Sequence, residues 1–152
     1  MGKKYWIWIV KAWLLAGTLD LSAAFIDAAW SAGRTPLWVL QYIASALFGP
    51  SAFEHSFLSG IVGVGMHYMI ALFWTTLCFQ LYPWMQRHLP IQVLQALVYG
   101  LIIWIGMNLL ILPLTRLETG SFHWGQALKG CLILVLAIGL PVSIIAKKAY
   151  KK

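Results

Sequence analysis

The sequence is poor in charge, poorer still in acid, and almost without cysteine. Charged residues make up 10% of its 152 positions, with four Asp and Glu against eleven Lys and Arg. Soluble domains average about 25% charged residues, so this composition cannot cover a water-exposed surface. Two cysteines are too few for a disulfide scaffold. Cys78 and Cys131 both fall inside apolar stretches, where a free thiol packs as a small hydrophobe. The chain also lacks Cys-x-x-Cys, His-Glu-x-x-His and any Gly-rich phosphate loop, which leaves zinc-site, dithiol and nucleotide chemistry without a motif.

What is present is apolar and aromatic. Hydrophobic residues reach 61% and aromatic ones 14%, which excludes intrinsic disorder. The net charge of +7 comes largely from lysines at the two ends beside apolar runs. That placement points to a lipid headgroup surface and away from nucleic acid.

Four stretches are long enough to cross a hydrocarbon layer of ~30 Å as helices of roughly 20 residues. They run approximately over 11–30, 57–82, 93–113 and 124–146. None shows the alternation of a barrel strand, so each is expected to satisfy its own backbone as a helix. The expected fold class is all-α integral membrane, a four-transmembrane-helix bundle forming a single transmembrane domain. An even number of crossings puts both termini on one side. Lys3, Lys4, Arg87, Lys147, Lys148, Lys151 and Lys152 share that side and Arg34 and Arg116 the other, so both ends are expected in the cytoplasm, with the inner bacterial membrane as the location. Trp6, Trp8, Trp13, Tyr82, Trp84 and Tyr150 fit an inner aromatic belt; Trp30, Trp38 and Trp124 fit an outer one. Lys11, Asp20 and Asp27 interrupt the first apolar run, so it reads as a retained helix and not a cleaved signal.

Between the first two spans, Thr35 and Pro36 make a good helix start, and Gly49 and Pro50 a good stop. The segment 36–48 between them is too short to span, so it is expected as an interfacial or re-entrant helix. Ser51 and Glu54 have the spacing of a capping box, which would start the second long helix there.

Ionisable groups in a bilayer cost roughly 2.5–3.5 kcal/mol each on insertion scales and so need a reason. Counted from the inner ends of the expected spans, Asp20 lies ~14 Å up, Asp27 ~24 Å, His67 and Asn108 ~22 Å, and Lys129 ~26 Å. Asp20 and Asp27 share a face, being close to two turns apart. Gly60, Gly63, Ala71, Trp74 and Cys78 share the face of His67, and small residues mark faces that look into a bundle. Asn108 shares its face with Trp104, and Lys129 with Gly125 and Gln126. One reading pairs Asp27 with Lys129, has His67 and Asn108 complete an outward-facing polar site, and leaves Asp20 as an isolated midplane carboxylate awaiting a cation or proton. The other has these groups simply hydrogen-bond the helices together. Lys11 is expected to reach back to the inner headgroups and not to pair with Asp20.

Other chemistry finds less support. Of the four histidines only His67 is well inside a span, His55, His88 and His123 lying at or beyond the interfaces, which disfavours a haem. Met66, His67, Met69 and Met107 offer soft donors for Cu(I) at one depth but not on one face. Ser45 or Ser51 near Glu54 and His55 is the nearest approach to a nucleophile with a base. No metal or other cofactor is expected.

The stretches Ala16 to Asp20, Val39 to Ser45, Phe48 to Phe53, His67, and Met107 with Asn108 leading to Leu114 resemble small bacterial inner-membrane proteins of the YagU kind. The resemblance covers about Ala16 to Thr115 and implies four helices with an outer re-entrant segment; it brings no activity, ligand or catalytic residue. The functional expectation is a protein that binds or passes a proton, cation or small polar solute through Asp20, Asp27, His67, Asn108 and Lys129 as the binding residues. The alternative is a non-transporting accessory or assembly subunit of a larger membrane complex, and a lipid-acting enzyme is a distant third. Partners are the bilayer and either a homo-oligomer or a larger membrane complex.

Overall fold

The computed structural model describes residues 3–54, 56–116 and 123–150; His55, Lys151 and Lys152 lie outside them. The described residues contain helices and no strand: α1 Lys3–Ala32, α2 Pro36–Phe48, α3 Ser56–His88, α4 Gln92–Ile105, α5 Trp124–Leu134 and α6 Leu140–Tyr150. A π-helical segment, Gly106–Ile111, and a short turn, Leu112–Leu114, prolong α4, while a second π segment, Val135–Gly139, joins α5 to α6. Four of the resulting rods are long and apolar enough to cross a membrane. The protein is an all-α four-helix membrane bundle with α2 as an added, shorter helix.

Proline explains much of the irregularity. A proline in a helix cannot donate to the carbonyl four residues earlier, and membrane helices re-satisfy the freed group by local adjustment. Pro113 and Pro141 each follow a π segment that contains the carbonyl concerned, that of Leu109 and that of Ala137 respectively. Pro83 sits inside α3, which stays α-helical. There the freed carbonyl of Phe79 accepts the Tyr150 hydroxyl at 2.8 Å, so the last helix mends the second span.

That bond belongs to a plug where the two described ends of the chain meet. The Tyr5 ring lies edge-on to Phe79 and to Tyr150 at 5.7 and 6.0 Å, and Tyr82 stacks on Tyr150. Ile9, Ala12, Cys78, Phe79, Tyr82, Met85, Tyr99, Ile103, Val142 and Ala146 are all essentially inaccessible here. Both cysteines are free thiols, Cys78 buried and Cys131 half-buried.

Small residues set the close crossings. A Cβ on Gly100 would collide with Val135, one on Gly139 would come within 2.5 Å of the Ala96 carbonyl oxygen, and one on Gly106 would collide with the Trp74 indole. On α3, Gly63 meets the Leu40 carbonyl and Gly60 the Leu37 side chain, so the face of glycines lies under α2. Helix α2 starts as its sequence indicates, with Thr35 Oγ1 accepting from the Trp38 backbone N–H at 3.2 Å and Pro36 in the first position. It stops at Gly49, whose φ of +65° favours glycine. The Arg116 N–H donates to the Ala46 carbonyl, tying the end of the third span to this helix.

Two local expectations are corrected. Ser51 and Glu54 form no capping box. The Ser51 hydroxyl donates to the Phe48 carbonyl, and Glu54 ends a 3-10 turn, Gly49–Phe53, so that α3 begins at Ser56. Trp13 is not a belt residue either, because its indole N–H donates to the Tyr68 carbonyl at 2.7 Å and pins α1 to α3.

Candidate ligand-binding site

Because the plug aligns Tyr5 with Phe79 and Tyr150, α1 sits in the bundle more than a turn higher than a count from Lys11 assumes. Measured from Tyr5, Asp20 lies ~22 Å up and Asp27 ~33 Å. Asp20 shares the level of His67, and Asp27 stands near the rim. Lys11 is exposed and its ammonium lies 5.4 Å from the centre of the Trp8 ring, turned towards the N-terminal end and away from Asp20.

At the rim, Lys129 Nζ lies 2.6 Å from Asp27 Oδ1 and donates to the Ser31 hydroxyl at 3.1 Å, while Ser31 donates to Asp27 at 3.2 Å. The pair joins the end of α1 to α5. With side chains 44% and 36% exposed, it is a surface ion pair, contributing about 0.2–1 kcal/mol. Its chief consequence is electrostatic, since it neutralises Asp27.

Behind the pair opens a cavity of about 580 Å³ between α1, the third span and α5, mixed in lining and, as the more polar of two, termed the polar cavity. Asp20, Asp27 and Asn108 line it, together with Trp104, His123 and Gln126. Asn108 lies within the π segment and its Nδ2 donates to the Trp104 carbonyl at 2.8 Å, which leaves its amide oxygen to accept. Helix irregularities of this kind recur at functional sites because they re-aim side chains.

A second cavity of about 340 Å³ lies deeper, between α2, α3 and the two π segments. Its walls are mainly apolar, including Tyr42, Ile70, Trp74, Met107 and Ile138, and Asp20 and His67 supply its carboxylate and its imidazole. One edge of the His67 ring is committed: Nε2–H donates to the Gly17 carbonyl at 2.8 Å, and the ring lies edge-on to Tyr68. Tyr68 in turn exchanges a 2.8 Å hydroxyl contact with Thr18.

The five candidate residues thus divide. Asp27 and Lys129 close on each other at the rim, Asp20 and Asn108 line the polar cavity, and His67 lines the apolar one. The single expected hollow is two, with Asp20 on the wall of both. Among the described residues the Asp20 carboxylate takes part in no hydrogen bond or salt bridge. Sequence reading missed Gln126 as a wall residue, although it shares a face with Lys129, and missed Tyr42, because nothing in α2 indicates that it roofs a cavity.

Other candidate chemistry dissolves on inspection. The Ser45 and Ser51 hydroxyls are spent on the Tyr42 and Phe48 carbonyls, and His55 lies outside the described residues. Met69 is exposed while the Met107 sulfur accepts from the Trp74 indole at 3.4 Å, so the methionines do not converge. No group of three His, Cys, Asp or Glu able to hold a metal occurs among the described residues. No family model, no curated protein and no solved structure matches the chain.

Proposed function

We propose that this protein binds a cation, proton or small polar solute in the membrane through a site open on the face away from the termini, with Asp20 as the acceptor. The observation that carries this reading is an acidic side chain ~22 Å along α1 that borders two cavities and has no hydrogen-bonding or ion-pair partner among the described residues. Burying an unpaired carboxylate for packing alone is costly, and an intramembrane acid facing a cavity serves binding or proton transfer by default. Asp27 with Lys129 forms the mouth and Asn108 orients the solute. We further propose that the protein lies in the bacterial inner membrane with both termini cytoplasmic, as its lysines favour. The aromatic plug favours binding over free passage within one chain, so passage requires helix movement or a homo-oligomer. In liposomes or nanodiscs, Asp20→Asn is expected to abolish cation-dependent binding or flux while the helical content stays unchanged. Wild-type behaviour in that variant removes the proposal.

A second reading, an accessory subunit of a larger complex, draws on a shallow groove of about 320 Å³ on α3, where Thr76 and Gln80 stand among Met69, Leu72, Phe73 and Leu77. Polar groups one turn apart on a face otherwise suited to lipid can hold a neighbouring helix. Recovery of a stoichiometric partner in mild detergent supports this reading, and purification as a lone species counts against it.

A further inference from the structure

The two cavities differ in chemistry, and the difference narrows the ligand class. We infer that the site takes an organic monocation, an ammonium group carried on a small apolar body, with the charge at Asp20 and the body in the deeper chamber. This rests on the reading of Asp20 as a cation acceptor and adds the body to it.

Charge comes first. Asp27 is neutralised by Lys129 at 2.6 Å, so the polar cavity and the chamber share one carboxylate that has no salt-bridge partner among the described residues, that of Asp20. One carboxylate balances one positive charge. Solvation comes next. A hard inorganic cation needs several oxygen ligands to replace its water; the chamber of about 340 Å³ is walled mainly by apolar side chains, and beside Asp20 the other cavity adds the Asn108 amide oxygen, fewer than such an ion takes from protein. An ammonium on an apolar body loses less water, and the burial of the body offsets what it does lose.

Shape and wall chemistry agree. The volume lies at the small end of the ~300–1,000 Å³ typical of small-molecule sites. Trp74 and Tyr42 contribute ring surface to the wall, and aromatic faces attract alkylammonium groups. The Trp74 indole is held by Met107 and packed against Gly106, so this wall exists before a ligand arrives. The polar cavity of about 580 Å³ then serves as the wet approach, with Asp20 at the junction.

The test uses the full chain in nanodiscs, with empty nanodiscs as the blank, titrated by calorimetry with 2-phenylethylammonium, 2-phenylethanol and ammonium chloride. The charged aromatic probe is expected to bind at least about tenfold more tightly than either of the others, and Asp20→Asn is expected to remove that advantage. Tetraphenylphosphonium, too bulky for the chamber, should fail to displace it. Should Asp20→Asn fold poorly, the preference for the amine over the alcohol in the wild-type chain decides the matter. Equal, Asp20-dependent binding of ammonium and 2-phenylethylammonium overturns the inference and leaves the cation site standing. Equal binding of the alcohol and the amine overturns it through the loss of any charge requirement. No binding by any probe overturns the inference and leaves the proton or another cation to the Asp20→Asn flux test.

Discussion

Tyr150 completes a hydrogen bond that Pro83 prevents α3 from making. A buried carbonyl left without a donor costs about 1–3 kcal/mol, and the Phe79 carbonyl escapes that cost because the Tyr150 hydroxyl reaches it at 2.8 Å. Tyr150→Phe is therefore expected to destabilise the protein by about 1–3 kcal/mol in thermal or denaturant unfolding. Adding Pro83→Ala restores the missing N–H to α3 and should recover most of that loss. Tyr5→Phe, which touches only the 3.3 Å contact between the two hydroxyls, should have a smaller effect; a loss equal to that of Tyr150→Phe would refute the assignment. Nothing in the sequence links Pro83 to Tyr150, because the need lies in the backbone and the donor sits 71 positions from the acceptor. The Asp27 and Lys129 pair was legible, because opposite charges at matching depth on helices of opposite direction have few other partners. The level of Asp20 relative to His67 was not legible in the sequence. Its count began at Lys11, the first visible charge, whereas the helix is registered by Tyr5.

At the scale of the element, the glycines of α3 separate packing from open space. Gly63 faces the Leu40 backbone, which cannot rotate away, whereas a Cβ on Gly65 meets nothing within 4 Å. Gly63→Ala is thus expected to push α2 off α3 and cost about 1–3 kcal/mol, as overpacked positions do. Gly65→Ala should be neutral or slightly stabilising. Comparable melting temperatures for the two variants would contradict the α2 crossing. Since Tyr42 and Ile43 of α2 line the deeper chamber, Gly63→Ala should also weaken ligand binding, and Gly65→Ala should not. The extent of α2 follows from its ends, Thr35 before it, Pro36 as its first residue and Gly49 after it. The two π segments were not legible as such, although a proline follows each one. A proline breaks a hydrogen bond in any helix, and only the tertiary surroundings decide whether the chain answers with a kink, a π turn or a borrowed hydroxyl.

Across the whole molecule, packing is uneven along the membrane axis. The end carrying the termini is filled by Ile9, Phe79, Tyr82, Met85, Val142 and Ala146, all essentially inaccessible. The opposite half holds both cavities, where α1 and the third span stay apart. On the proposed reading such a molecule is open to one face and closed to the other, and thiol chemistry can test this directly. Cys78 is buried in the closed half, whereas Ala24 lines the polar cavity. In a Cys131→Ser background, Ala24→Cys is expected to react with a charged, membrane-impermeant thiosulfonate added on the face away from the termini. Cys78 should stay unreactive from both faces. Protection of Ala24→Cys by 2-phenylethylammonium, lost when Asp20→Asn is added, would connect that accessibility to the carboxylate. Modification of Cys78 from the terminal face would show that the plug opens in the resting protein, and the one-sided architecture would have to be abandoned for a through-path. If Cys78 becomes reactive only when the organic cation is present, the same plug is the moving part of a transport cycle, and passage through one chain no longer needs an oligomer.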